Sequence, residues 1–275
     1  MINKPTAQLP VRKVTSAQTS ETTDILAVEE PLEIRVTMGA TGHRVEKVIS
    51  VTMRTPGNDE ELALGFLFTE GIISGKKDVI QVHHSENDNV VTIDFDTWVV
   101  ASLDSLERNF YTTSSCGVCG KTSLEAIRTK SVFTGADSLT VTSSMLHTLP
   151  ELLRKNQEVF ATTGGLHASA LFDTSGKLLI VREDVGRHNA LDKVIGHCAQ
   201  QNRLPQMESI LLLSGRVSFE LMQKAYMAGI RMVAAIGAPS TLAVSLAAEY
   251  GITLIGFLRN QQFTVYAGAQ RIQEK

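Results

Sequence analysis

The chain has 275 residues, a formal net charge of −3 at pH 7 and 43% hydrophobic residues, enough for a sizeable core in one large or two small domains. Charges of both signs are spread along it, which argues against a nucleic-acid partner. No apolar run approaches the roughly 20 residues of a membrane span, and the opening MINKPTAQLPVRKVTSAQTSETTD lacks the apolar stretch of a secretion signal. A cytoplasmic protein with reduced thiols is expected, in contact with neither membrane nor nucleic acid.

In chain order, residues 1–25 are rich in Ser, Thr and Gln and read as a flexible polar arm. Residues 26–105 read as a mixed, β-rich α+β subdomain. Leu32–Val36 alternates like a half-buried strand, Val45–Met53 follows as a second, and Asn89–Ile93 as another. Between them Asn58-Asp59-Glu60-Glu61 opens an apolar-periodic helix, Leu62–Phe68, with acidic residues in its first turn. Residues 106–140 carry Ser-Ser-Cys116-Gly-Val-Cys119-Gly and read as a mobile loop and helix.

Residues 141–275 have a different rhythm. The apolar runs Leu178–Val181, Ile210–Leu213, Met232–Ile236 and Ile252–Ile255 alternate with helical text at 189–199, 217–228 and 241–250. This is the pattern of βαβ units and a parallel sheet covered on both faces, and the whole chain is expected to be α/β. Ligands of such sheets sit beyond the carboxyl ends of the strands. Three loops fall there: Arg182–Asn189, Ser214-Gly215-Arg216 and Gly237–Thr241. Arg187, His188 and Arg216 are candidate donors to a phosphate-bearing ligand, beside a helix N-terminus. The blander reading makes Asp184 a helix cap among solvated neighbours. Gly164-Gly165-Leu166-His167 reads as a turn followed by a core histidine, or as part of the same site.

The Cys116–Cys119 pair supplies only two of the four ligands of a zinc site. Zinc deaminases place Pro before such a pair and His-x-Glu upstream. Here Ser115 precedes it, and His167-Ala168-Ser169 lies downstream without the Glu. A thioredoxin-like motif would sit near the first βαβ unit, which this pair precedes. Nucleophilic sulfur remains. Thr122-Ser123-Leu124-Glu125 reads as a capping box, and the helix N-terminus with Lys121 favours thiolate over thiol. A redox-sensing pair is the less favoured alternative. Cys198 shares a helix face with Leu191 and Ile195 and reads as buried and inert.

Taken together, Cys116-Gly-Val-Cys119-Gly120, Glu183-Asp-Val-Gly-Arg-His-Asn-Ala-Leu-Asp-Lys193, Ser214-Gly-Arg216 and Gly256-Phe257 before Thr264-Val-Tyr266 resemble the FdhD family. The resemblance covers about residues 29–267. It implies a sulfurtransferase that takes sulfur from a cysteine desulfurase as a persulfide on Cys116, with Cys119 as its motif partner. The sulfur passes to the molybdenum (or tungsten) bis-molybdopterin guanine dinucleotide cofactor, a cargo destined for the formate dehydrogenase catalytic subunit. The resemblance further implies a homodimer, a cytidine-deaminase-like α/β/α C-terminal domain without its zinc, and a nucleotide-cofactor segment at Phe257-Leu258-Arg259-Asn260-Gln261-Gln262. Asn260 and Gln262 stand where many members have Gly and Arg, leaving Arg259 as the one cation of that stretch. The alternative function is an escort that binds the cofactor without covalent sulfur transfer.

Overall fold

The computed structural model describes residues 4–85, 88–102, 133 and 138–274. Its first element corrects the expected arm. Strands β1 (Thr6–Val14) and β2 (Thr19–Ala27) pair as an antiparallel hairpin. Thr15 closes the turn, its hydroxyl accepting from the Gln18 amide at 3.1 Å and donating to the Gln18 carbonyl at 3.1 Å. The Thr residues that help make this stretch look like polar coil are also β-branched strand formers, and composition alone does not separate the two states.

Next come β3 (Glu30–Met38), β4 (Val45–Arg54), helix α1 (Asp59–Thr69), β5 (Val79–Ser85) and β6 (Val90–Phe95). The four strands form one sheet in the order β4-β3-β6-β5. Leu32, Ile34 and Val36 of β3 point inward and are fully buried, as the alternation predicts. The acidic first turn of α1 has a stronger use than the helix dipole. Buried Asp59 accepts two hydrogen bonds from buried Arg54, at 3.0 and 2.8 Å. Glu61 accepts two from Arg182, at 2.5 and 2.7 Å, and lies 2.9 Å from His197 Nδ1.

The rest of the described chain runs β7 (Val141–Thr142), α2 (Ser143–Leu146), α3 (Leu149–Lys155), α4 (Glu158–Thr163), β8 (His167–Phe172), β9 (Leu178–Asp184), α5 (Arg187–Gln200), β10 (Ile210–Leu213), α6 (Phe219–Met227), β11 (Met232–Ala235), α7 (Thr241–Glu249), β12 (Thr253–Arg259), β13 (Gln262–Ala267) and β14 (Ile272–Gln273). Six of these strands build a second sheet in the order β13-β12-β11-β10-β8-β9. It is mixed rather than all-parallel. β10, β11 and β12 run parallel, but β8 is antiparallel to both β9 and β10, and β13 is antiparallel to β12. The double glycine before His167 hid β8 behind a turn signal.

The fold has an all-round α/β character with two core clusters. The larger spans both sheets: Leu32, Ile34, Leu62 and Leu67 pack in one cluster with Leu191, Val194, Leu211 and Val233. The smaller lies on the other face of the six-stranded sheet, around Leu146, Leu149, Phe172 and Leu258. The join is made by α1 and α5, which cross in backbone contact. A Cβ on Gly65 would lie 1.9 Å from the Asp192 carbonyl oxygen, and one on Gly196 would lie 1.8 Å from that of Glu61.

Because the obstructing atoms are backbone, neither helix can yield locally. Gly65→Ala and Gly196→Ala are each expected to destabilise the protein by about 3 kcal/mol or more, at the upper end of overpacking costs. Urea midpoints at unchanged slope would measure the loss.

Candidate functional site

One edge of the six-stranded sheet gathers the ends of five strands. His167, at the start of β8, pairs with Asp184 at the end of β9, and Ser169 pairs with Leu213 at the end of β10. The carboxyl ends of β11 and β12 lie on the same side, since both run parallel to β10. Backbone hydrogen bonds lash the loops together: Phe257 N to Gly237 O at 3.1 Å, Gly237 N to Gly215 O at 3.1 Å, Val217 N to Ala238 O at 3.1 Å and Ser214 N to Ala168 O at 3.0 Å. Gly237 has to be glycine here, because a Cβ would lie 2.8 Å from the Gly215 carbonyl oxygen.

His167 packs against the Gly215 backbone, where an added Cβ would sit 3.2 Å from its Nδ1. Burial, and then the positive charges of Arg187, His188 and Arg216, hold its pKa below the usual histidine value, with Asp184 opposing. A neutral imidazole is the consequence at pH 7. The same shift reports that cationic groups converge on this point.

Arg187 opens α5. Gly186, its N-cap, supplies no side-chain cap, and the Nε of Arg187 is buried without a hydrogen-bond partner among the described residues. An orphaned guanidinium donor beside an uncapped helix N-terminus suits an anion. His188 turns toward α6: its Nε2 lies 3.4 Å from Ser218 Oγ and 3.9 Å from Glu220. The neighbouring His188 is the main cause that holds the Glu220 carboxyl down at about 2, against the opposing effect of burial. Arg216 is exposed on the neighbouring loop.

The segment Phe257–Gln262 is the β12–β13 turn. Arg259 pairs with Gln262 across it, while Asn260 and Gln261 adopt left-handed φ of 52° and 57°, the geometry of a tight two-residue hairpin. Phe257 also has a left-handed φ, 55°, an outlier for an aromatic residue. It sits at an irregularity in the ladder and is held there by the bond to Gly237. Arg259 is exposed, its guanidinium 5.8 Å from the Phe257 ring centroid. Leu258 requires a correction: its side chain is fully buried in the smaller core and offers a ligand nothing. It alternates inward between Phe257 and Arg259, as a strand residue must.

Most of the charged motif 183–193 is structural. Glu183 accepts the Val159 and Phe160 amides at 2.9 and 2.8 Å and so caps α4. Fully buried Asp184 meets Lys193 Nζ at 2.7 Å, and accepts from the amides of Gly186 at 2.8 Å and Thr55 at 3.2 Å. Asn189 donates to the Met53 carbonyl at 2.8 Å and to Asp184 at 3.0 Å. Asp192 takes Lys224 at 2.8 Å and the Thr69 hydroxyl at 2.9 Å. The reading of Asp184 as a cap is thus half right, since it bonds the N-cap amide while also clamping β4 to α5. Ser218 and Glu220 escaped the sequence reading because no local pattern ties them to His188.

Cys116 and Cys119 lie outside the described residues, as does the expected capping box after them. Cys198 is 3% exposed and burial pushes its thiol up to about 11.

A family model described as the FdhD/NarQ family matches residues 27–273. A protein of Mycolicibacterium paratuberculosis named "Sulfur carrier protein FdhD" is 50% identical over 277 residues, covering 97% of this chain and 98% of that protein. One of the same name from Sulfolobus acidocaldarius is 42% identical over 266 residues, covering 96% and 98%. A crystal structure from Desulfotalea psychrophila, described as a formate dehydrogenase accessory protein, superposes with a TM-score of 0.76 over 98% of this chain and 100% of that one. At 21% identity that likeness bears on the fold alone.

The burial of Cys198 sets an expected outcome. In the folded protein at pH 7.5, iodoacetamide should leave Cys198 unmodified while it labels the same residue in urea, read by peptide mass mapping.

Proposed function

The chain belongs to the FdhD/NarQ family, and we propose that it works as a sulfur carrier serving formate dehydrogenase. Its named relatives and the family match support that coarse role. In the finer reading, the Cys116 thiolate attacks the outer sulfur of a persulfide on a cysteine desulfurase. A new S–S bond forms at Cys116, the donor cysteine leaves as thiolate, and no net oxidation occurs. Cys119 then attacks the Cys116 sulfur, the outer sulfur leaves as sulfide to the molybdenum (or tungsten) bis-molybdopterin guanine dinucleotide, bound as substrate, and the Cys116–Cys119 disulfide so formed is returned to two thiols by a dithiol reductant. This takes place in the cytoplasm before the cofactor enters the dehydrogenase.

The observation that carries the cargo reading is the buried Nε of Arg187, without a hydrogen-bond partner among the described residues, at the start of α5, which has no side-chain cap. Such a donor fits a phosphate oxygen; exposed Arg216 follows β10 on the same sheet edge, and exposed Arg259 lies farther along it after β12. A dinucleotide cofactor brings phosphates, so the residues present fit the group. The neutral His167 imidazole on the same rim can take or give a proton at Nδ1 or Nε2.

Two measurements test this. After incubation with a cysteine desulfurase and cysteine, the intact mass should rise by about 32 Da, one sulfur atom, mapped to Cys116 and reversed by a reductant. Cys116→Ala should abolish the gain and leave the dehydrogenase inactive while still binding cofactor. Full activity in that variant would move the assignment to an escort without covalent transfer. Separately, Arg187→Ala should weaken binding of GDP, a probe for the cofactor's nucleotide end, by roughly tenfold or more, the worth of one charge-assisted hydrogen bond. Unchanged GDP binding would remove Arg187 from the site.

A further inference from the structure

A cavity of about 420 Å³ opens beneath β5, the edge strand of the four-stranded sheet, and falls within the size range of small-molecule sites. Its floor is apolar, made by Leu64 of α1, Ile73 and Val82. The last residues of α5, Ala199 and Gln200, form one wall. This is not the rim: α5 has 14 residues, so the cavity lies about 20 Å from Arg187. Residues 79–82 all line it, which an ideal strand could not do, since alternate side chains face opposite ways. The β5–β6 ladder slips between Val79 and Gln81, leaving Ile80 over. Bulges of this kind re-aim side chains beside functional sites, and this one leaves Ile80 57% exposed at the cavity.

Two opposite charges stand at the same cavity, Glu60 of α1 and Lys76. Neither has an ion-pair or hydrogen-bond partner among the described residues, and they do not pair with each other. The neighbouring acids show the contrast: Asp59 is bonded to Arg54, and Glu61 to Arg182. Gln81, Gln200 and Gln201 add carboxamides that can donate or accept. The carbonyl end of α5 brings partial negative charge to the cavity as well.

We propose that this cavity binds a free α-amino acid whose apolar side chain is about the size of leucine's. The side chain covers the floor of Leu64, Ile73 and Val82. Lys76 takes the carboxylate, while Glu60 and the end of α5 take the ammonium group. Each simpler ligand leaves a group unsatisfied. An aliphatic carboxylate leaves Glu60 without a partner, an aliphatic amine leaves Lys76 without one, and the interior of a peptide carries neither charge. An apolar amino acid brings both charges and the apolar body in one molecule. The inference is independent of the sulfur chemistry, and its failure would leave that reading untouched.

Isothermal titration calorimetry of the full chain with L-leucine tests it, and saturable binding at one site per chain is expected. Glycine lacks the body, and leucinamide and N-acetylleucine each lack one charge. All three should bind at least about tenfold more weakly. Lys76→Gln and Glu60→Gln should each weaken leucine binding by a similar factor. Each variant should also be selective: Glu60→Gln should leave N-acetylleucine binding unchanged, and Lys76→Gln that of leucinamide. Neither side chain is buried, so far-UV circular dichroism should not change. No binding at about 10 mM leucine, or binding of any of the three analogues as tight as leucine's, would overturn the proposal. So would leucine binding that both variants leave intact. The analogue series on the unaltered chain decides the question even if a variant fails to fold.

Discussion

The contact between Gly65 and Gly196 sets the geometry on which everything else rests. With no side chain between them, α1 and α5 meet backbone to backbone. Their flanking residues are thereby brought within hydrogen-bond reach across the two sheets. Thr69 of α1 reaches Asp192 of α5, and Lys224 of α6 closes the trio at 2.8 Å from each. Glu61 of α1 meets Arg182 of β9 and His197 of α5. One turn of helix further, Lys193 bonds the Thr55 carbonyl at 2.9 Å and the Asp184 carboxylate at 2.7 Å. Buried ion pairs of this kind give little net stability, yet breaking one partner is costly, so they act as registers that permit a single docking of the subdomains.

That register reaches the rim through Asp184. Its carboxylate holds the Gly186 amide and Asn189, so the turn before α5 is anchored from the side that faces β4. Gly186 itself is pressed close, since a Cβ there would lie 3.0 Å from Asn189 Nδ2. The start of α5 is therefore a rigid position, and Arg187 inherits that rigidity. On the other side, the ladder of amides from Ala168 through Gly215 and Gly237 to Phe257 ties the remaining loops into one surface. Preorganisation of this kind spares a bound anion the cost of ordering its partners.

How much of this could be read from the sequence follows from the range of the interactions. Strands β3 and β10 to β12 and helices α1, α5, α6 and α7 were legible because apolar periodicity is local. The rim was legible because loops after strands fall together in any sheet of this class. The hairpin was not, because Thr and Ser serve a coil and a ladder alike. β8 was lost because a glycine pair reads as punctuation, and with it the sheet appeared parallel. The long-range pairs were illegible for another reason. Thr55 to Lys193 and Thr69 to Lys224 are separated by 138 and 155 positions. Glycines 65 and 196 look like weak helix residues until the partner helix is in place.

The same bookkeeping of partners explains how an acidic chain offers a cationic surface. The protein carries 29 carboxylate residues against 26 lysines and arginines, so the gathering of cations at the rim comes from arrangement rather than composition. Near the rim the described carboxylates have partners: Glu183 the α4 amides, Asp184 Lys193, Asp192 Lys224 and Glu220 His188. Arg187, by contrast, keeps a buried donor without a partner among the described residues, and Arg216 and Arg259 are exposed. His167, half-buried among them, loses its proton more readily for the same reason. Among the described residues Asp184 is held by a lysine away from the strand ends, and replacing Lys193 would release a negative charge toward the rim.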